Sequence, residues 1–277
     1  MPSDRYILYQ YNSALAINET LSLPFKLDPV QELIVASERK RIIVNCCRQW
    51  GKTSTIAAKV AIQAVLNPGL ILIIAPVERQ AKELFRKAKD GINAYIRRTH
   101  SALEFWENAK TSLELSNGAR VIALPAKGET IRGYTDPSLI VIDEAAFTQD
   151  EDYRAIRPML SHGASLIVMS TPFGKRGWFY DTWSHKNPIW ARFSVVADNC
   201  KHISRDFLED ERISIGPWWY DQEYNCQFLD DIAGFYDMDS IRAAIEAGDP
   251  PILVSPSSGF SYLIDQDSKP FVIGGAL

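Results

Sequence analysis

Two uninterrupted apolar runs stand out early in the chain, Ile42-Ile43-Val44 within Arg41–Asn45 and Leu70-Ile71-Leu72-Ile73-Ile74. Runs that do not alternate predict strands covered on both faces. Between them, Ile56, Val60, Ala61 and Ala64 recur at helical spacing from Thr53 to Leu66, and Asn67-Pro68-Gly69 ends that helix. A second helical pattern runs from Glu78 to Arg98, with Ala81, Leu84, Phe85 and Ala88 on the core side and a row of Lys and Arg outside. Ser112–Leu115 and Arg120–Leu124 flank Asn117-Gly118, which predicts a hairpin with a type I′ turn. Two further buried-strand runs follow, Leu139–Ile142 and Leu166–Met169. Strands alternating with helices define an α/β fold with a mostly parallel sheet.

Beyond Trp178 the pattern becomes mixed and aromatic. Asp221–Ser240 holds six acids and no Lys or Arg, a polarity shift that points to a subdomain and not a linker, and a small, mainly helical one is expected. It would be built from residues 1–27 and about 197–255 around a core of about 28–196. Pro250-Pro251 and Ser255-Pro256-Ser257-Ser258-Gly259 read as a boundary closing a domain of residues 1–260.

Composition narrows the function classes. With 277 residues, 46% hydrophobic and 23% charged, the chain has the balance of a folded globular protein and not of a disordered or fibrous one. A net charge of −4 means that any nucleic-acid contact must come from a local patch. The apolar stretch Leu70–Val77 is broken by Pro76 and falls far short of the roughly 20 residues that cross a bilayer, so no membrane association is expected. Met1-Pro2-Ser3-Asp4-Arg5 lacks the pattern of a secretory signal, and a cytoplasmic location is the expectation. Cys46, Cys47, Cys200 and Cys226 have no metal-site spacing and read as buried, reduced thiols.

The chemistry concentrates at strand ends. Cys46-Cys47-Arg48-Gln49-Trp50-Gly51-Lys52-Thr53 lies between a buried strand and a helix, the context of the phosphate loop G-x-x-x-x-G-K-[ST], with Cys46 in place of the first glycine. In such a loop the backbone N–H groups and helix N-terminus cradle phosphates, the lysine reaches the β and γ groups, and the hydroxyl ligates Mg²⁺. The strand Leu139–Ile142 runs into Asp143-Glu144, suited to holding Mg²⁺ and to positioning and deprotonating the attacking water. The competing reading makes these acids a helix N-terminal cap. Ser170-Thr171-Pro172 closes the next strand, where small hydroxyls could sense the γ-phosphate or simply end the strand in a proline turn.

Together, Cys47–Thr53, Ile142-Asp143-Glu144-Ala145 and Met169-Ser170-Thr171-Pro172-Phe173-Gly174 resemble the ATPase domain of phage terminase large subunits, from about Pro29 to Asp230. The resemblance implies a P-loop NTPase fold of the RecA/ASCE-like kind, with helices flanking the sheet. It implies a motor that hydrolyses ATP with Mg²⁺ to move double-stranded DNA into a procapsid. Arg48, Gln49, Trp50, Gly51, Lys52, Thr53 and Ser54 would bind nucleotide, Thr53 and Asp143 the metal, and Glu144 the catalytic water. Arg48 and Arg132, in Thr130-Ile131-Arg132-Gly133, would act on the γ-phosphate, Arg132 on a neighbouring subunit's nucleotide. Gln31, in Pro29-Val30-Gln31, would read adenine, the alternative being a solvated helix-start residue. Ser170, Thr171 and Pro172 would couple nucleotide state to DNA movement.

The implied partners are double-stranded DNA, a portal protein, a small terminase subunit and further copies in a ring, with the isolated domain monomeric. The implied place is the bacterial host cytoplasm, at the procapsid portal. Residues 261–277 would be a linker and the first strand of a C-terminal nuclease domain, and no nuclease activity is expected of this chain. Candidate DNA contacts are the basic span Arg79–Arg98 and Lys175-Arg176 with Trp178, against the plainer reading of a solvated charged face. A helicase-like translocase and a nucleotide-binding assembly switch without efficient turnover are the alternatives. The first would need a second ATPase-like lobe, and the second is separated by comparing ATP binding with turnover.

Overall fold

The fold is taken from a computed structural model, which describes residues 8–9, 12–21, 23, 26–185 and 187–230. The helices are α1 (Ser13–Thr20), α2 (Pro29–Ala36), α3 (Lys52–Leu66), α4 (Glu78–Thr99), α5 (Gly128–Ile131), α6 (Asp150–Ile156), α7 (Gly177–Ser184) and α8 (Arg205–Glu223). The strands are β1 (Arg41–Cys46), β2 (Gly69–Ala75), β3 (Phe105–Asn108), β4 (Ser112–Leu115), β5 (Ala119–Pro125), β6 (Pro137–Asp143), β7 (Ser165–Ser170) and β8 (Ala191–Val195). They form one sheet in the order β3-β4-β5-β2-β6-β7-β1-β8. Pairing is parallel from β5 to β8 and antiparallel at the β3-β4-β5 edge.

The strand residues alternate between two apolar layers, as the pleat requires. Ile42, Val44, Ile71, Ile73, Val141 and Ile167 join the layer containing α3 and α4. Ile43, Leu72, Ile74, Ile140, Ile142 and Val168 join the opposite layer, with α6 and α7. Both faces are covered, which is why the sequence runs are continuous. Each fully buried aliphatic side chain stabilises the fold by about 1.5–3 kcal/mol, so these central strands are its most firmly held part. Ala16 and Ile17 of α1, and Leu208 and Tyr220 of α8, lie in the same layer as α3 and α4. These are the described parts of the segments expected to form a helical subdomain. The remainder of that subdomain, the boundary at 250–259 and the segment 261–277 lie outside the described residues.

The hairpin forms at the expected place with a different turn. Only Gly118 has positive φ (87°), whereas a type I′ turn needs it at Asn117 as well. Asn117 instead bonds outward: its Nδ2 donates to Ala64 O at 2.9 Å, tying the turn to the end of α3, and its Oδ1 accepts from Ala119 N. The helix that the competing capping reading of Asp143-Glu144 requires is a single 3-10 turn, Ala145–Phe147, with no side-chain cap.

Candidate nucleotide site

Because β1, β6 and β7 are parallel, their carboxyl ends share one edge of the sheet. Asn45 pairs with Ser170, and Asp143 with Met169, so the loop after β1, the acids ending β6 and the hydroxyls ending β7 come together. Strand β7 lies between β1 and β6. A cavity of about 1200 Å³ opens at this edge, and Gly51, Lys52, Thr53, Ser54, Glu144 and Thr171 are among the residues lining it.

The phosphate loop depends on one left-handed residue at the start of α3. Gly51 has φ 94° and ψ 20°, and an added Cβ would come within 3.3 Å of Gln31 Nε2. Glycine is the residue that adopts this conformation without a steric penalty. No side chain caps α3, so its first N–H groups remain available to an anion. The loop is anchored from below by α2. Trp50, only 2% exposed, donates from its indole Nε1 to Asp28 Oδ2 at 2.7 Å. Gln31 Nε2 donates to Trp50 O at 3.0 Å, and Gln31 Oε1 accepts from Asp28 N at 3.0 Å. Asp28 Oδ1 in turn caps α2. Gln31 is therefore a helix-start residue but a buried one, with both ends of its amide holding the loop. The capping box draws the side chain under Trp50. The Trp50 ring itself is buried.

Lys52 Nζ lies 2.8 Å from Glu144 Oε1. Burial opposes the lysine charge, but Cys46, Glu144 and then Asp143 together outweigh it and hold its pKa above the ordinary value. Glu144 sits in the left-handed region at φ 52°, a conformation costly for a residue with a Cβ and typical of positions under functional constraint. Ser170 Oγ donates to Glu144 Oε2 at 3.5 Å, a long contact. Asp143 is 4% exposed; burial first, then the Glu144 charge, push its carboxyl up to about 6, against the pull of Lys52, Glu144 N–H and the Thr53 hydroxyl. A buried carboxylate in contact with a hydroxyl, beside a second carboxylate, suits a hard divalent cation, so Thr53 and Asp143 fit Mg²⁺.

Two arginines were expected at the γ-phosphate. Arg48 borders the cavity and makes a two-pronged pair with Glu223 of α8, Nε–Oε2 2.7 Å and Nη2–Oε1 3.3 Å, while its N–H donates to Glu223 O. The pair raises the Arg48 pKa. Arg132 is exposed at the end of α5 and is not among the residues lining this cavity. Gln49 has φ 61°, and His202 Nε2 donates to its carbonyl at 2.8 Å. Ser54 Oγ accepts from Lys87 Nζ at 3.0 Å. Ser170 and Thr171 are buried at 0% and 2%, and Pro172 is buried behind them. Glu223 and Lys87 reach the site from helices far along the chain, and no short-range sequence signal announces them. The four thiols are buried and unpaired covalently; Cys46, at the position of the usual first glycine, is pushed up to about 12 by burial.

The candidate DNA contacts fare unequally. On α4, Lys82 pairs with Glu78 and Arg86 with Glu83 and Asp90, which neutralises part of the basic face. Lys175 pairs with Asp230, and Trp178 is 6% exposed and stacked on Tyr153, so that indole belongs to the core.

A largely parallel sheet with a phosphate loop after β1, an acidic pair ending β6 and a strand between the two defines a nucleotide-binding fold of the P-loop class. The family described as terminase large subunit, T4likevirus-type, N-terminal, matches residues 43–243, and the chain belongs to that family. Among solved structures, it resembles the Thermus phage P74-26 large terminase ATPase domain, with TM-score 0.66 and 21% identity over 82% of this chain and 99% of that one. It also resembles the HK97 bacteriophage large terminase, with TM-score 0.58 and 21% identity over 86% of this chain and 51% of that one. A thermophilic-bacteriophage large terminase in complex with ADP gives TM-score 0.53 and 14% identity over 77% and 53%. This chain thus spans about half the length of the latter two proteins. No curated protein matches the sequence. Among the described residues, no helix is long and apolar enough to cross a membrane.

Proposed function

We propose that this domain hydrolyses ATP to ADP and phosphate and, as part of a terminase large subunit, uses that reaction to drive double-stranded DNA into a procapsid. The observation that carries the reading is Glu144, a carboxylate at the sheet edge within 2.8 Å of the phosphate-loop lysine. Lys52 and the first N–H groups of α3 bind the β and γ phosphates. Glu144 takes a proton from the attacking water, while Lys52 and Arg48 offset the charge that develops on the γ-phosphoryl group. Mg²⁺, held by Thr53 and Asp143, neutralises phosphate charge when bound. Gly51 and Ser54 complete the loop, and Gln49 and Trp50 contribute through its backbone.

Ser170, Thr171 and Pro172 couple the site to DNA movement. The Ser170 contact to Glu144, and the 3.1 Å bond from Gly174 N to Gln222 Oε1 on the helix that also holds Arg48, support that assignment. Arg132, exposed outside its own cavity, acts on the nucleotide of a neighbouring copy in a ring. The portal protein, a small terminase subunit and the bacterial cytoplasm complete the assembly. Steady-state ATP hydrolysis with and without double-stranded DNA tests the proposal. DNA is expected to stimulate the parent chain, and Lys52→Ala to abolish turnover at every DNA concentration; turnover surviving in Lys52→Ala would refute it.

A further inference from the structure

One face of α8 walls the nucleotide cavity on the side of β8. Phe207, Glu211, Ile215, Trp219 and Glu223 all line that cavity and follow one another every fourth residue, the spacing of side chains stacked on one helix face. Gly216-Pro217 breaks the helix, with Gly216 at φ 79°, so Trp219 and Glu223 sit together on the short stretch beyond the break. Glu223 pins that stretch to the phosphate loop through its pair with Arg48 and the 3.0 Å bond that Arg48 N–H donates to its carbonyl. Trp219 lies one turn back, about 6 Å along the axis. Its indole is 43% exposed and meets Trp218 edge to face, with ring centroids 4.7 Å apart and planes at 84°. Such a neighbour covers at most one face of the indole.

Strand order sets the direction in which a bound nucleotide runs. β6, which leads into Glu144, lies beyond β7 on one side of β1, and β8 pairs with β1 on the other. A terminal phosphate placed beside Glu144 and Lys52 puts the base at the end of the cavity away from β6. The apolar residues Pro76, Val77 and Phe147 line the β6 end: β2 runs beside β6 into Pro76 and Val77, and Phe147 N–H donates to Glu144 O at 3.0 Å. α4 adds Gln80 and Lys87, a polar wall. Phe207 and Ile215 of α8 pack partly against the core, so Trp219 presents the largest open aromatic surface at the β8 end. An exposed indole suits the flat face of a base, because stacking needs no particular pattern of donors and acceptors. Resting on the nucleotide binding proposed above, we propose that Trp219 is the platform on which the purine base of the bound nucleotide stacks. Lys52 holds the phosphates, Trp219 holds the base from α8, and the Arg48–Glu223 pair sets the spacing between the two.

Trp219→Ala and Trp219→Phe test this against the parent in equilibrium binding of ATP and of inorganic tripolyphosphate, with thermal unfolding measured without ligand. Trp219→Ala is expected to weaken ATP binding by about 10-fold, the loss of one base–aromatic stack. Tripolyphosphate, which has no base, should bind as tightly as to the parent, and Trp219→Phe should recover most of the ATP affinity. In the parent, ATP should quench tryptophan fluorescence more than tripolyphosphate does, and that excess should vanish in Trp219→Phe. ATP affinity equal in parent and Trp219→Ala would overturn the role of Trp219. So would an equal loss of affinity for both ligands, above all with a lower melting temperature, since that marks a structural part only. A parent that binds neither ligand would refute the proposed function and the role of Trp219 with it, whereas a parent that binds ATP as tightly as Trp219→Ala does overturns only the role of Trp219.

Discussion

The loop anchor under the phosphate site makes a prediction that separates two roles for one residue. In Gln31→Leu the side chain keeps its volume, so no cavity term enters, but two hydrogen bonds disappear. Trp50 O loses its 3.0 Å donor, and Asp28 N loses its 3.0 Å acceptor. A buried partner left unsatisfied costs about 1–3 kcal/mol, and Asp28 N is only partly buried, so the loss should total about 3 kcal/mol. For a domain of this size that corresponds to a fall of about 6–12 °C in melting temperature. The released carbonyl of Trp50 also loosens the loop just before Gly51. Affinity for ATP and for inorganic tripolyphosphate should therefore fall by the same factor, since tripolyphosphate has no base to read. Thermal unfolding and competition binding with the two ligands measure both effects. An unchanged melting temperature, with weakened binding confined to ATP, would refute the anchoring role and favour Gln31 as a reader of adenine.

Gly51→Ala should cost about 1–2 kcal/mol in urea unfolding, since an L side chain at φ 94° is strained and its Cβ would press on Gln31 Nε2. Nucleotide binding should weaken with it, and unchanged stability would contradict the assigned geometry. Lys59 donates to Val35 O and Ser37 O, and burial, partly offset by Glu38, lowers it from 10.5 to about 8. Across that window the unfolded chain holds more protons than the folded domain, so the contribution of Lys59 to stability increases as the pH rises from about 8 to about 10. The stability of the parent relative to Lys59→Met should increase over the same interval, and a constant difference would argue against a depressed lysine.

What could be read from the residues tracks how locally each feature is determined. Strands β1, β2, β6 and β7 are covered on both faces, so their apolar runs are continuous, and the helix after β1 follows from its spacing and from Asn67-Pro68-Gly69. Two edge strands gave no such signal. β3 is mostly exposed, with Trp106 67% exposed, and β8 carries Arg192 and Ser194 among its apolar residues. Pairing with β1 makes β8 a strand, and that is a tertiary fact. The phosphate loop and Asp143-Glu144 were legible because backbone context and residue type coincide within a few positions. The helix start at Gln31 follows from its local sequence, but its burial does not, since that depends on Trp50, nineteen positions away. Glu223, Lys87 and Trp219 reach the cavity only through helix packing, which no motif records.

The central claim is that Glu144 makes this site hydrolytic and not merely a place where nucleotide binds. Single-turnover ATP hydrolysis at high protein concentration with Mg²⁺, comparing the parent chain with Glu144→Gln and adding double-stranded DNA to each, tests it most directly. The account predicts that Glu144→Gln still binds ATP but loses turnover by about 10²-fold or more, and that DNA accelerates only the parent. Equal turnover in the two proteins, or equal loss of ATP binding and hydrolysis in Glu144→Gln, would contradict it.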